Sequence, residues 1–237
     1  MSKAWKWVIG VVVGVAVAIP VGTFIFIHFI EGPAPAKLTL NSNSSSKSGG
    51  ATTTAPAGAA TGADTSGNWK PTPASVVGYR IKETLFGQSA EAVGRTSSVT
   101  GSMAFTGDTV SAVNLVVDMK SVKSDRSQRD GQFQGRIMNT AVYPTATFKL
   151  TQPLVLSNVP TDNTVVDAKA TGDLTLHGVT KSVTFDLKAQ RDGANVKVNG
   201  AIPIVFADYN ISNPSGGPAT TADNGLLEFL VVFAPTT

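Results

Sequence analysis

The chain is 237 residues long and 42% hydrophobic, enough for one large domain or two small ones. It has no cysteine, which excludes disulfide scaffolds, thiolate metal sites, cysteine nucleophiles and lipid-modified cysteine; its two histidines, His28 and His177, are too few for a zinc site of several imidazoles. Residues 1–70 carry five lysines against two acidic residues, whereas residues 71–237 carry 14 basic and 14 acidic side chains, so the basic pI belongs to the N-terminal part and gives no nucleic-acid footprint.

Residues 8–30 contain no formal charge. As a helix this run spans about 34 Å, enough for a hydrocarbon core of about 30 Å. Lys3 and Lys6 precede it, Trp5 and Trp7 sit at its boundary, and Glu31 is the first charge after it. Positive charge on the leading flank predicts a cytoplasmic N-terminus and an extracytoplasmic remainder. The alternative is a cleaved signal peptide, since Ala34-Pro35-Ala36 loosely matches a small-residue cleavage site, which would make the protein secreted. Signal cores are shorter than this run, which favours an uncleaved anchor. Pro20 is tolerable in a membrane helix. Gly10 and Gly14 have the GxxxG spacing of a homodimer face, which fits ordinary background equally well.

Residues 31–72 change character. Ser and Asn dominate 42–48, and Gly, Ala, Thr, Ser and Pro fill most of 49–67. Such a stretch cannot bury enough apolar surface to offset its ordering entropy. It reads as a flexible linker with a coil reach of about 35 Å.

A domain is expected over residues 73–237, and its pattern is β. Val166, Ala168, Ala170, Gly172, Leu174 and Leu176 alternate with polar residues, as do Val179, Val183, Phe185, Leu187 and Ala189 after a His177-Gly178 turn. Val99, Met103 and Phe105 alternate before Gly107-Asp108, and Val113, Leu115, Val117 and Met119 after it. Ala194, Val196 and Val198 follow the Asp192-Gly193 turn. Segments 77–85, 146–154, 202–206 and 226–233 bring the count to about eight strands, the last an apolar run broken by Glu228. Residues 124–138 differ: Phe133 and Ile137 are spaced i, i+4 among polar residues, predicting a short helix with Ser124 as N-cap and Asp125 in the first turn. About eight hairpin-linked strands suggest a closed antiparallel barrel, because closure removes exposed edges. A β-sandwich produces the same alternation, and periodicity leaves both open.

Catalytic motifs are absent from the sequence: no GxSxG, Walker loop, GxGxxG or HExxH. No metal site, no cofactor and no enzyme activity is expected. His177 would serve as a general base only beside a nucleophile, and no nucleophile motif accompanies it; the plainer reading is a turn histidine bonded to backbone. Asp173 and Asp208 are a candidate carboxylate pair. Arg126, Arg129 and Arg136 are the most suggestive polar group, since guanidinium forks suit a phosphorylated head group; a solvated helix face paired with Asp125 and Asp130 is the competing reading.

These residues resemble a known family. Arg129-Asp130 in a helical segment, Tyr143-Pro144 with Phe148, and Gly172-Asp173-Leu174-Thr175-Leu176-His177-Gly178-Val179-Thr180-Lys181 before a strand resemble the YceI-like family. Tyr79-Arg80-Ile81, Gly94-Arg95-Thr96 and Val99-Thr100-Gly101 fit one branch of it. The resemblance covers about residues 73–235. It implies an all-β fold: an eight-stranded, lipocalin-like antiparallel barrel with a short helix. The transmembrane helix and disordered linker expected before it lie outside the resemblance and rest on their own physics. The resemblance further implies a long apolar interior that binds an isoprenoid lipid such as a quinone, polyprenol or polyprenyl phosphate. Candidate tail contacts are Met103, Phe105, Leu115, Val117, Phe148, Ala168, Ala170, Leu174, Phe185 and Phe229, and candidate head-group contacts are Arg126, Arg129 and Arg136. Many members carry a histidine where this chain has Lys82-Glu83-Thr84-Leu85, which puts any head-group contact resting on that histidine in doubt.

Three functions follow. The first is an anchored lipid-binding module for carriage, storage or sensing. The others are an enzyme acting on a bound lipid or oxidant, and a structural envelope domain with a filled core. The missing motifs favour the first over the second.

Overall fold

The computed structural model describes residues 34–41, 66–85, 87–156, 164–216 and 219–236. The apolar run at 8–30, its Gly10 and Gly14 pair, and residues 42–65 of the expected linker lie outside the described residues. Among those described, no helix is long and apolar enough to cross a membrane.

The described strands are β1 (Gly67–Pro71), β2 (Val76–Leu85), β3 (Gln88–Thr96), β4 (Val99–Thr106), β5 (Thr109–Asp118), β6 (Lys123–Ser124), β7 (Thr145–Leu150), β8 (Leu154–Val155), β9 (Val165–Leu176), β10 (Val179–Asp192), β11 (Asn195–Val205), β12 (Ala219–Thr221) and β13 (Asn224–Pro235). Strict alternation produces the longest hairpin, β9–β10, in which Ala170 faces Phe185 and Gly172 faces Val183. Its turn needs two residues at positive φ, and His177 (51°) and Gly178 (77°) supply them. Gly172 is required by a close approach: a Cβ there would lie 2.5 Å from the Phe148 ring and from the Lys149 carbonyl oxygen.

Neighbouring strands β1, β4, β5, β7, β9, β10, β11 and β13 pair antiparallel in that order, and a β1–β13 pairing closes the ring. The result is the expected eight-stranded barrel, not a sandwich. At the closure β13 changes neighbours. Phe233 to Pro235 pair with β1, whereas Leu226 to Leu230 pair with β2. Between them the chain detours through Pro73 and Ala74, and the fully buried Ser75 hydroxyl fills the gap. It accepts from the Val232 N–H (3.1 Å) and donates to the Val232 carbonyl (3.3 Å). From β2 the sheet continues to β3 and β6.

Several boundaries move. The barrel begins at Gly67 rather than 73, with Trp69 buried. The segments read as 194–198 and 202–206 are one strand, β11, while 146–154 splits into β7 and β8. Strand β3 had no sequence-based counterpart. The helix is shorter than expected: α1 spans Ser127–Gln132 and passes into a π-helical turn, Phe133–Ile137. Arg126, not Ser124, is its N-cap residue, and Asp130, not Asp125, is the acid of its first turn. Ser124 lies in β6 and ties the helix down differently. Its N–H (2.7 Å) and hydroxyl (2.8 Å) both donate to the buried Asp130 carboxylate.

Residues 34–41 depart furthest from the linker reading. They lie across the outside of β13. Leu40 is buried against Leu230 and Val232, with Leu38 and Ala74 alongside. Three carbonyls of this strap are held by barrel side chains: Pro35 by Arg80 Nη2 (2.7 Å), Ala36 by Arg95 Nη2, and Leu38 by Asn199 Nδ2 (3.0 Å). Beneath it, Arg80 and Glu228, each 4% exposed, form a buried pair (Nε to Oε1, 2.6 Å), joined by Glu91 and Arg95. Burial of its own charge lowers the Arg80 pKa, but bonds from Glu228 and Glu91 outweigh that and hold it above the ordinary arginine value. Full burial of a leucine contributes about 2 kcal/mol, so the strap is held by more than its hydrogen bonds.

Candidate functional site: an apolar barrel interior

Inward positions of every ring strand face one cavity of about 440 Å³. Its walls alternate small and large side chains. Ala146, Ala170 and Ala189 leave room, while Phe148, Phe185 and Phe229 stack edge to face across the middle, with centroids 5.5 and 5.7 Å apart. One end is closed by buried apolar residues: Trp69, Phe105, Val110, Leu156, Val196 and Phe233. The other end is polar. There Glu83, Arg126, Gln128, Arg129, Gln132, Gly216 and Thr221 line the cavity, and Gln128, Gln132 and Gly216 are exposed. This end is the mouth.

The helix forms one side of the mouth because Phe133 plugs into the barrel. Its ring stacks on Tyr79 (centroids 5.0 Å, planes 17° apart). Burial pushes the Tyr79 phenol up to about 12, so its hydroxyl stays neutral at the cavity wall. The mouth is compensated in charge. Arg129 pairs with Asp125 and, through Nη2, with Glu83 Oε1 (3.3 Å), while Arg126 Nε lies 4.0 Å from Asp125 Oδ2.

Nine of the ten tail candidates line the cavity: Met103, Phe105, Leu115, Val117, Phe148, Ala170, Leu174, Phe185 and Phe229. Ala168 does not; it is partly buried and packs against the core. Among the arginines, Arg126 and Arg129 line the mouth and Arg136 does not. The reason is the π-helical turn, in which the Met138 N–H donates to the Phe133 carbonyl five residues back (2.8 Å). The wider turn rotates Arg136 away from the other two, and its Nη2 donates to the Pro214 carbonyl (3.1 Å). Spacing alone did not reveal Glu83, Gln128, Gln132 or Tyr79. The period-two pattern of β2 was the available signal, since it turns Tyr79, Ile81 and Glu83 inward together and leaves Lys82 outside.

None of the candidate catalytic groups lines the cavity. His177 is not a cavity-lining residue; its Nδ1 meets the Tyr209 carbonyl (3.1 Å) and its ring lies edge-on to Tyr143 (4.6 Å). Asp208 pairs with Lys181 (3.6 Å), and Asp173 stands on the outer side of β9, between inward Gly172 and Leu174. Among the described residues no group of three or more His, Cys, Asp or Glu side chains is placed to hold a metal ion.

This architecture places the chain among eight-stranded antiparallel barrels built around an interior cavity. The model of the YceI-like domain matches residues 69–233, and the chain belongs to that family. A UPF0312 protein of Vibrio parahaemolyticus is 36% identical over 127 residues, covering 50% of this chain and 64% of the relative. Protein YceI of Escherichia coli O157:H7 is 33% identical over 120 residues, 47% of this chain and 58% of the relative. The matched region thus spans about three-fifths of these curated relatives. Among solved structures, a polyisoprenoid binding domain from Saccharophagus degradans, implicated in plant cell wall breakdown, aligns with a TM-score of 0.57 at 18% identity, covering 71% of this chain and 98% of that one. BcnA of Burkholderia cenocepacia aligns at 0.54 with 19% identity, covering 68% and 98%. At such identities the likeness concerns the fold.

Proposed function

We propose that the barrel is an extracytoplasmic, membrane-anchored module that binds one isoprenoid lipid, with its tail in the apolar interior and its head at the mouth. The observation that carries this reading is the cavity itself: one continuous apolar space, closed at one end and polar only at the other. Burial of each methylene contributes about 0.8 kcal/mol, so ten contribute about 8 kcal/mol. That competes with an association cost of about 4–15 kcal/mol. The Saccharophagus domain's description as polyisoprenoid binding supports the tail chemistry. Because Glu83 and Asp125 already compensate Arg129 and Arg126, the mouth suits an uncharged polar head, such as a quinone or polyprenol, better than a phosphate. Carriage, storage and sensing all fit this arrangement. Catalysis fits less well, because none of His177, Asp173 and Asp208 lines the cavity.

The test compares two neighbouring positions on β9. Ala170→Trp fills the cavity, and Lys169→Trp places the same ring on the outer face. With purified full-length protein and added polyprenol or quinone, Ala170→Trp should lower uptake at least tenfold while Lys169→Trp leaves it near wild type. Melting curves confirm that both fold. Normal uptake by a folded Ala170→Trp protein would place the lipid elsewhere.

A further inference from the structure

The strap at 34–41 has a direction, and the direction has a consequence for the membrane. Along β13, Leu226 is paired with Arg80 and lies near the mouth, whereas Val232 lies toward the closed end. Pro35 is held at the level of Arg80, and Leu40 sits on Leu230 and Val232. The strap therefore runs from the mouth side toward the closed end, and whatever precedes residue 34 departs on the mouth side. Only residues 31–34 separate the end of the apolar run from Pro35, and five residue steps reach at most about 17 Å. The rim residues Glu83 and Leu85 lie three and five residues beyond Arg80 on β2, or about 10–17 Å along the strand.

We propose that the docked strap fixes the barrel with its mouth against the bilayer that residues 8–30 span, so that a lipid passes between membrane and cavity without crossing bulk water. This rests on the anchor and lipid-binding reading above, and adds to it an orientation and a route. Residues 42–65 join Asn41 to Ser66, and both ends lie toward the closed end, where Ser66 accepts from the Gly107 N–H (3.0 Å) in the β4–β5 turn. In sequence order the Gly/Ala/Ser/Thr/Pro-rich stretch follows the strap, so it does not lie between the apolar run and the barrel's first contact. Four residues, not forty, set the height of the mouth.

The absence of cysteine makes the test direct. Ser127→Cys labels the mouth on α1, and Ala194→Cys labels the closed end at the β10–β11 turn; both positions are exposed. The full chain is placed in phosphatidylcholine nanodiscs containing a headgroup spin-labelled lipid, and fluorophore quenching is read at each site. The mouth label should be quenched at least threefold more than the other. Two variants should erase the difference. Leu38→Ser/Leu40→Ser undocks the strap, leaving residues 31–66 as a coil of about 35 Å reach. Ten Gly/Ser residues inserted after Gly32 keep every strap contact and lengthen only the membrane-side link. Equal quenching in the wild type, stronger quenching at Ala194→Cys, or an asymmetry that survives both variants would overturn the proposal. A chain that leaves the nanodisc would overturn it through the anchor reading, while the isoprenoid content of the same sample reports separately on the cavity.

Discussion

The two faces of β13 are both buried, for different reasons. Its inner residues Leu227, Phe229, Val231 and Phe233 line a cavity, so their partners are each other and open space. Its outer residues Glu228, Leu230 and Val232 are covered by residues 34–41 and by a buried ion network, with Leu230 among the least exposed side chains in the described chain. The inner face borders open space, and the outer face is filled already. Substitutions on the outer face of β13 should therefore change stability and spare lipid uptake, whereas substitutions that fill the cavity, such as Ala170→Trp on β9, should do the reverse.

The largest effect is expected from Glu228→Ala. It leaves Arg80 charged and buried with only Glu91, at 32% exposure, as carboxylate partner. Breaking a buried pair from one side costs about 4 kcal/mol, to be read by denaturant unfolding. A loss under about 1 kcal/mol would show that water reaches the pair. Next is Leu230→Ala, at about 3 kcal/mol in the intact chain. In the Leu38→Ser/Leu40→Ser background the same substitution should cost only about 1 kcal/mol, because the partners are already gone, and that coupling measures the strap. Strict additivity would mean that the strap does not cover Leu230. The smallest effect belongs to His177→Ala, which loses the bond to the Tyr209 carbonyl and leaves a residue less suited to φ 51°. A loss of about 1 kcal/mol is expected, with lipid uptake unchanged. A variant with an unchanged melting curve that takes up no lipid would instead give His177 a functional role.

How much of this was legible follows the same division. The β9–β10 hairpin was readable because one face is apolar, the other wet, and His177-Gly178 marks the turn. Strand β3 was not, because its inward residues Ala90, Ala92 and Gly94 are small while outward Val93 is buried, which erases the alternation. The strap was hidden for a related reason. Leu38 and Leu40 gain a surface only once β2, β3 and β11 assemble beside β13, so that Leu230 and Val232 lie beside Ala74, Arg80, Arg95 and Asn199 on the outside. The apolar run of β13 carried the signal, since a strand that is apolar on both faces needs cover on both. At the mouth, Arg126 and Arg129 were legible as a cluster. Arg136 falls outside it because the 3.6-residue period that would align all three breaks across Phe133–Ile137, where the helix widens.

The central claim is that the interior holds an isoprenoid lipid, and the most direct measurement is its recovery. Full-length protein purified from membranes should be analysed by native mass spectrometry and by solvent extraction, before and after incubation with polyprenol, quinone and polyprenyl phosphate. The account predicts one lipid per barrel, with the uncharged heads taken up at least as well as the phosphate. Protein that arrives empty and takes up none of the three would contradict it.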